Sequence, residues 1–179
     1  EAFDGIARDY PRLSDDAGMI RRYIRRALEI KQRYIEIDEF DRGARNVFNY
    51  GHSFGHAIEA ATDFAVPHGI AVILNAPAVF RFTATASPRR HLAAAEALGA
   101  SPTSAAAESD AGAVLADTII ELMQRLNMPG GLAPLGYGSG DIPALVAGTL
   151  PQHRVTKLSP RPAGEEELSA LFEDAMRYW

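Results

Sequence analysis

The run Asp38-Glu39-Phe40-Asp41-Arg42-Gly43-Ala44-Arg45-Asn46-Val47-Phe48-Asn49-Tyr50-Gly51-His52-Ser53-Phe54-Gly55-His56-Ala57-Ile58-Glu59 decides how this chain reads. On an α-helix each residue advances about 100°, so Arg45, Asn49, His52, His56 and Glu59 fall within about 80° of one another. Val47, Tyr50, Phe54, Ala57 and Ala61 take the opposite side. The pattern predicts a helix over 44–62 with one polar stripe and one buried face. Gly51 and Gly55, a turn apart, leave room for a second backbone to come close.

Histidines at i and i+4 can aim their ring nitrogens at one point, which is how helices build divalent metal sites. His68 follows after a turn, held between Pro67 and Gly69. His52, His56 and His68 are therefore candidate metal ligands. From spacing alone, ligation and plain surface decoration stand as equal alternatives. His91 and His153 lack such company and read as surface residues.

Working outward, helical signals dominate. Ser14, Asp15 and Asp16 can cap a helix over 17–36, with Ile20, Tyr23, Ile24, Leu28, Lys31 and Ile35 at three- and four-residue spacings. Its other face carries Arg21, Arg22, Arg25, Arg26 and Arg33, the pattern of a solvated helix face. Further helices are expected at 70–82, where Pro77 should bend or shorten the element, from Ser87-Pro88 to a stop at Gly99, at 111–127, at 141–150 and at 164–178. The Ala/Ser-rich stretch 99–110 reads as a mobile connection. No stretch alternates apolar and polar residues over a strand length. The Gly136-Tyr137-Gly138-Ser139-Gly140 run lacks the preceding strand that would make it a nucleotide loop. The expected architecture is an all-α helical bundle forming a single domain over 1–179.

The chain has 179 residues, is 47% hydrophobic and 23% charged, and contains no cysteine. Disulfides, thiolate metal ligands and thiol nucleophiles are thereby excluded. A net charge of −5 argues against non-specific nucleic-acid binding. No apolar run stands out as a membrane span, so no membrane partner is expected. The cysteine-free composition suits a reducing cytoplasm, the expected location. The start at Glu1, without methionine, suggests a cut edge.

These residues carry a resemblance as well. The run 38–59, with His68-Gly69 after it, resembles the signature of 3-dehydroquinate synthase and related sugar-phosphate cyclases. The resemblance implies that His52 and His68 bind a catalytic divalent metal, usually zinc. It makes His56 an acid/base group or third ligand. Lys31, Arg45 and Asn49 would hold the carboxylate and ring hydroxyls of an anionic polyol, with Lys31 and Asn49 also serving catalysis. Asp41 stands where that family usually has glutamate, and Glu59 takes no assigned role. The family's phosphate-binding lysine has no certain match in Pro151-Gln152-His153-Arg154.

From about Gly69 onward the likeness changes. Ala76-Pro77-Ala78-Val79-Phe80, Arg90-His91-Leu92, the stretch 115–118 and the stretch 148–158 resemble iron-containing alcohol dehydrogenases of the hydroxyacid–oxoacid transhydrogenase type. Residues 1–68 thus look cyclase-like and 69–179 dehydrogenase-like. Both families share a fold with an N-terminal nucleotide-binding domain and a C-terminal helical, metal-binding domain, and this chain resembles the second alone. The main expectation is a substrate- and metal-binding (zinc or iron) domain of an NAD-dependent, carbocycle-forming lyase, inactive alone because the missing N-terminal domain would carry NAD. The alternatives are the matching domain of an iron-containing alcohol dehydrogenase acting on a hydroxy acid, and a non-catalytic helical module with a buried polar network. A homodimer is a further expectation, since relatives of both kinds are often dimers.

Overall fold

A computed structural model describes residues 5, 8–40, 42–49, 52–62, 65–101, 106–151 and 159–179. Among these residues every regular element is helical, in keeping with the all-α expectation. The backbone forms two compact units, Glu1–Tyr50 and Gly51–Trp179.

The first unit is built on α1, Ala17–Ile37. Asp16 caps it, accepting from the backbone N–H groups of Gly18 and Met19 at 2.9 Å each. Asp9, buried, ties α1 to the preceding 3-10 turn (Tyr10–Asp15) by accepting from Arg22 at 2.6 Å and from the Tyr23 hydroxyl at 2.8 Å. At the other end Asp38 gathers the backbone N–H groups of Arg42, Gly43 and Arg45 at 2.8, 2.8 and 3.1 Å. That carboxylate shapes the chain reversal after α1. Tyr34 meets Phe48 edge-on, with centroids 5.1 Å apart. No residue of α1 is buried within the unit, and Ile24, Leu28 and Ile37 are exposed.

The helix expected over 44–62 takes a different form. Ala44–Asn49 is a 3-10 turn of the first unit, and α2 covers His52–Ala61 in the second. The three N–H bonds to Asp38 fix the entry to that turn, so the 100° stripe does not extend back to Arg45 and Asn49.

The second unit holds α2 (His52–Ala61), α3 (His68–Ile73), α4 (Ala76–Thr83), α5 (Pro88–Ala97), α6 (Ala111–Arg125), α7 (Ile142–Thr149) and α8 (Glu165–Asp174). Helix α6 packs on α4 and α5, α2 on α3 and α7, and α8 on α7 and α4. Ile58, Leu74, Leu115, Met123, Leu132, Leu145, Leu168 and Phe172 fill the centre. Pro77 sits in the first turn of α4, so the helix expected at 70–82 is divided at Leu74-Asn75. Gly99 ends the α5 segment at φ +104°, the left-handed conformation that glycine adopts most readily. Residues His68–Ala86 are long and apolar enough to cross a membrane, against the expectation that no apolar run is. In the structure 44% of that stretch is buried within the unit and it comprises separate helices, the character of a core segment.

Gly55 is where α2 and α3 touch. A Cβ built there would lie 2.8 Å from Val72 Cγ2 and 3.2 Å from Val72 Cα. Gly55→Ala should therefore cost about 1–3 kcal/mol through overpacking. Val72→Ala in the same chain should recover part of that loss, a comparison made by denaturant unfolding.

Backbone N–H groups, led by that of Arg42, hold the Asp38 carboxyl below the ordinary aspartate range. The Arg8 hydrogen bond, followed by that of Tyr23, does the same for Asp9. A depressed folded-state pKa contributes stability fully above the unfolded value, about 3.9, and loses it as pH falls through the folded value. Acidification below about pH 4 should therefore reduce helical ellipticity. The fall should be shallower in Asp38→Asn, which lacks the charged acceptor at every pH.

Candidate metal centre

Helix α2 presents His52, His56 and Glu59 on one face, at the i, i+4 and i+7 positions. His68 opens α3: Pro67, at φ −55° and ψ 135°, turns the chain and leaves His68 as the first helical residue. The contact at Gly55 and Val72 then brings the start of α3 alongside α2. The three imidazoles form a triangle, with ring centroids 5.5 Å apart for His52–His56, 4.9 Å for His52–His68 and 5.7 Å for His56–His68.

Glu59 lies beneath the triangle. Its side chain is 8% exposed, whereas those of His56 and His68 are about half exposed. Oε2 accepts from His56 Nδ1 at 2.9 Å and Oε1 accepts from His68 Nδ1 at 2.7 Å. Burial pushes the Glu59 carboxyl up, but the hydrogen bonds from His56 and His68 outweigh it and hold the group below the ordinary glutamate value. With Nδ1 of His68 committed to Glu59, its Nε2 faces His52 Nε2 at 3.2 Å.

That separation is informative about ligands. Two imidazole nitrogens bound to one ion at about 2.0–2.1 Å lie roughly 3.0–3.4 Å apart, depending on the bond angle. The His52–His68 pair fits this range. Without an ion, one of the two nitrogens must donate a proton to the other, because two bare lone pairs at 3.2 Å would repel. His56 Nε2 lies on the far edge of a ring whose Nδ1 is held, so it is suited to proton transfer or to a third ligand position. His56, Glu59 and His68 also group as potential ligand atoms within 4.8 Å of one another.

The other candidates from the sequence fall elsewhere. Lys31 lies exposed on α1, and the Arg45 guanidinium donates to Glu39 O at 2.9 Å, both within the first unit. Asn49 ends the 3-10 turn of that unit. Asp41 and His153 lie outside the described residues, as do Tyr50 and Gly51. The Gly-rich 136–140 run does not form a phosphate cradle. Tyr137 packs on the core and its hydroxyl donates to Ile58 O at 3.1 Å, pinning the loop to α2 one residue before Glu59.

His91 is a correction. It is buried, not on the surface: Nδ1 donates to Ser87 O at 2.9 Å, Nε2 lies 3.1 Å from Thr83 Oγ1, and Phe80 meets the ring edge-on. Its polar atoms are satisfied locally, which lets a histidine sit in the packing between α4 and α5.

Residues 1–128 match the family model described as 3-dehydroquinate synthase C-terminal. The chain belongs to that family. Among curated proteins, the chain is 57% identical over 114 residues to the mitochondrial hydroxyacid-oxoacid transhydrogenase of Pongo abelii, covering 64% of this chain and 24% of that protein. It is 56% identical over 111 residues to the probable mitochondrial hydroxyacid-oxoacid transhydrogenase of Dictyostelium discoideum, covering 62% and 20%. It thus spans about a quarter of the length of the first of these and less of the second. Among solved structures, 1,3-propanediol oxidoreductase superposes with a TM-score of 0.63 at 27% identity, over 70% of this chain and 32% of that one. The alcohol dehydrogenase from Oenococcus oeni gives the same TM-score at 21% identity over the same shares, a likeness of fold alone.

The family match and the fold neighbours show the all-helical C-terminal domain of the fold shared by 3-dehydroquinate synthase and iron-containing alcohol dehydrogenases. The expectation of a cytoplasmic protein is overturned, because the relatives from Pongo abelii, Bos taurus and Dictyostelium discoideum are all named as mitochondrial. His91→Ala should lower stability by about 2–5 kcal/mol, since it removes a buried ring packed against Phe80 and leaves a cavity. Metal affinity should not change, and thermal unfolding beside a calorimetric metal titration checks both.

Proposed function

We propose that this chain is the metal- and substrate-binding part of an oxidoreductase that moves hydride between a hydroxy acid and an oxo acid. The observation that carries the reading is the pair of converging Nε2 atoms on His52 and His68, 3.2 Å apart and backed by a buried carboxylate. The names of the curated relatives and of the solved oxidoreductase favour this chemistry over the carbocycle-forming lyase. His52 and His68 would hold a divalent ion, iron(II) or zinc. A bound ion there supplies Lewis acidity that lowers the pKa of a substrate alcohol. Two protein ligands make a weak site, and further ligands would come from the rest of the whole enzyme, with NAD in a nucleotide-binding domain.

The chain's own residues would do the following. His56, ring fixed by Glu59 and half open to solvent, would carry the alcohol proton away through Nε2. Lys31 and Arg45 supply positive charge suited to the carboxylate of a hydroxy acid, and Asn49 can hydrogen-bond its hydroxyl. These last three roles rest on motif positions in the family resemblance.

Calorimetric titration of the chain with zinc, and anaerobically with iron(II), tests the ligand assignment. One ion per chain is expected, with affinity reduced at least about tenfold in the His52→Ala/His68→Ala double variant. Equal binding by both chains would overturn the assignment and leave the imidazole–carboxylate network a structural feature. Supplying a relative's nucleotide-binding domain tests the chemistry: transfer of hydride from a hydroxy acid to an oxo acid supports it, and dehydroquinate formation alone refutes it.

A further inference from the structure

Glu59 is the one member of the histidine cluster that reaches two rings at once, and its chemistry constrains both. An ionised carboxylate only accepts hydrogen bonds, so each nitrogen facing it must carry a proton. The distances of 2.9 Å to His56 Nδ1 and 2.7 Å to His68 Nδ1 put both protons on Nδ1. A neutral imidazole has one N–H, so both Nε2 atoms are then bare lone pairs directed away from Glu59. On His68 that bare atom is the one facing His52 Nε2.

We infer that Glu59 is a positioning residue: it fixes His56 and His68 in the Nδ1–H tautomer, so that His68 offers Nε2 to the ion and His56 offers Nε2 as a proton acceptor. The carboxylate is shared between the ligand ring and the proton-transfer ring, so one buried group sets both. Direct ligation by Glu59 is the competing use. It would strip a hydrogen bond from a carboxylate whose side chain is 8% exposed, on the edge of His68 opposite the His52 contact. The local fold supports the carboxylate's position. Thr62 Oγ1 donates to the carbonyls of Ile58 and Glu59 at 2.9 and 3.2 Å, and the Tyr137 hydroxyl also donates to Ile58.

The inference rests on the metal reading for its functional meaning, but the tautomers can be read without any ion. Two-bond proton–nitrogen correlation spectra of the full metal-free chain report which ring nitrogen is protonated. Both His56 and His68 should show the Nδ1–H tautomer. A Glu59→Gln amide offers one acceptor and one donor, so one of the rings should switch to Nε2–H. Zinc affinity, read by calorimetry on the same chains, should fall about 10–100-fold in Glu59→Gln. Glu59→Asp, which keeps two acceptor oxygens, should bind zinc more tightly than Glu59→Gln. An Nε2–H tautomer on His68 in the unaltered chain would overturn the inference, as would unchanged tautomers in Glu59→Gln. Tautomers that shift as stated in a chain that binds no zinc would uphold the positioning role and refute the metal reading. Zinc binding of equal strength in Glu59→Gln and the unaltered chain would refute the positioning role and leave the metal reading intact.

Discussion

The contact between Gly55 and Val72 is the constraint on which the site depends. Helices α2 and α3 can approach this closely because residue 55 has no Cβ, and the approach sets the first residue of α3 against the polar face of α2. Three imidazoles and a carboxylate then share one small volume, with the carboxylate buried and the His56 and His68 rings half exposed. A buried carboxylate is costly unless hydrogen-bonded, and two N–H donors meet that demand. The same two bonds orient the rings. Packing, electrostatics and the direction of the lone pairs are therefore one arrangement.

The surrounding unit holds that arrangement from behind. Ile58, fully buried between His56 and Glu59 in sequence, anchors the inward face of α2, and its carbonyl accepts from Tyr137 and Thr62. The C-terminal residues close over the Gly-rich segment: Leu132 N donates to Ala175 O at 3.0 Å, and Tyr178 N to Gly130 O at 2.7 Å. Tyr178 also reaches Leu74 O at 2.8 Å, and burial pushes its phenol well above the ordinary tyrosine value. Gly130, Gly131 and Leu132 are thus buried parts of the core.

Much of this was legible in the sequence, for definable reasons. The helix starts at Asp16 and Pro88, the stop at Gly99 and the division near Pro77 follow from local backbone chemistry, which short stretches carry on their own. The triad His52, His56 and His68 was legible because helical spacing and a Pro-X-Gly turn restrict where side chains can go. The 44–62 helix was misjudged because Asp38, outside that window, accepts three backbone N–H groups and favours a 3-10 turn. His91 was misjudged because its partners, Thr83 and Ser87, lie on neighbouring elements and no periodicity reveals them. Glu59 stood in the polar stripe, but its role needed the ring orientations of α3, which spacing on α2 does not contain.

The most direct measurement is anomalous diffraction from crystals of the chain soaked in zinc. The account predicts an anomalous peak bonded to Nε2 of both His52 and His68, with Glu59 still accepting from Nδ1 of His56 and His68. A peak on the Glu59 carboxylate or on Nδ1 of either ring, or no peak within reach of His52 and His68, would contradict it.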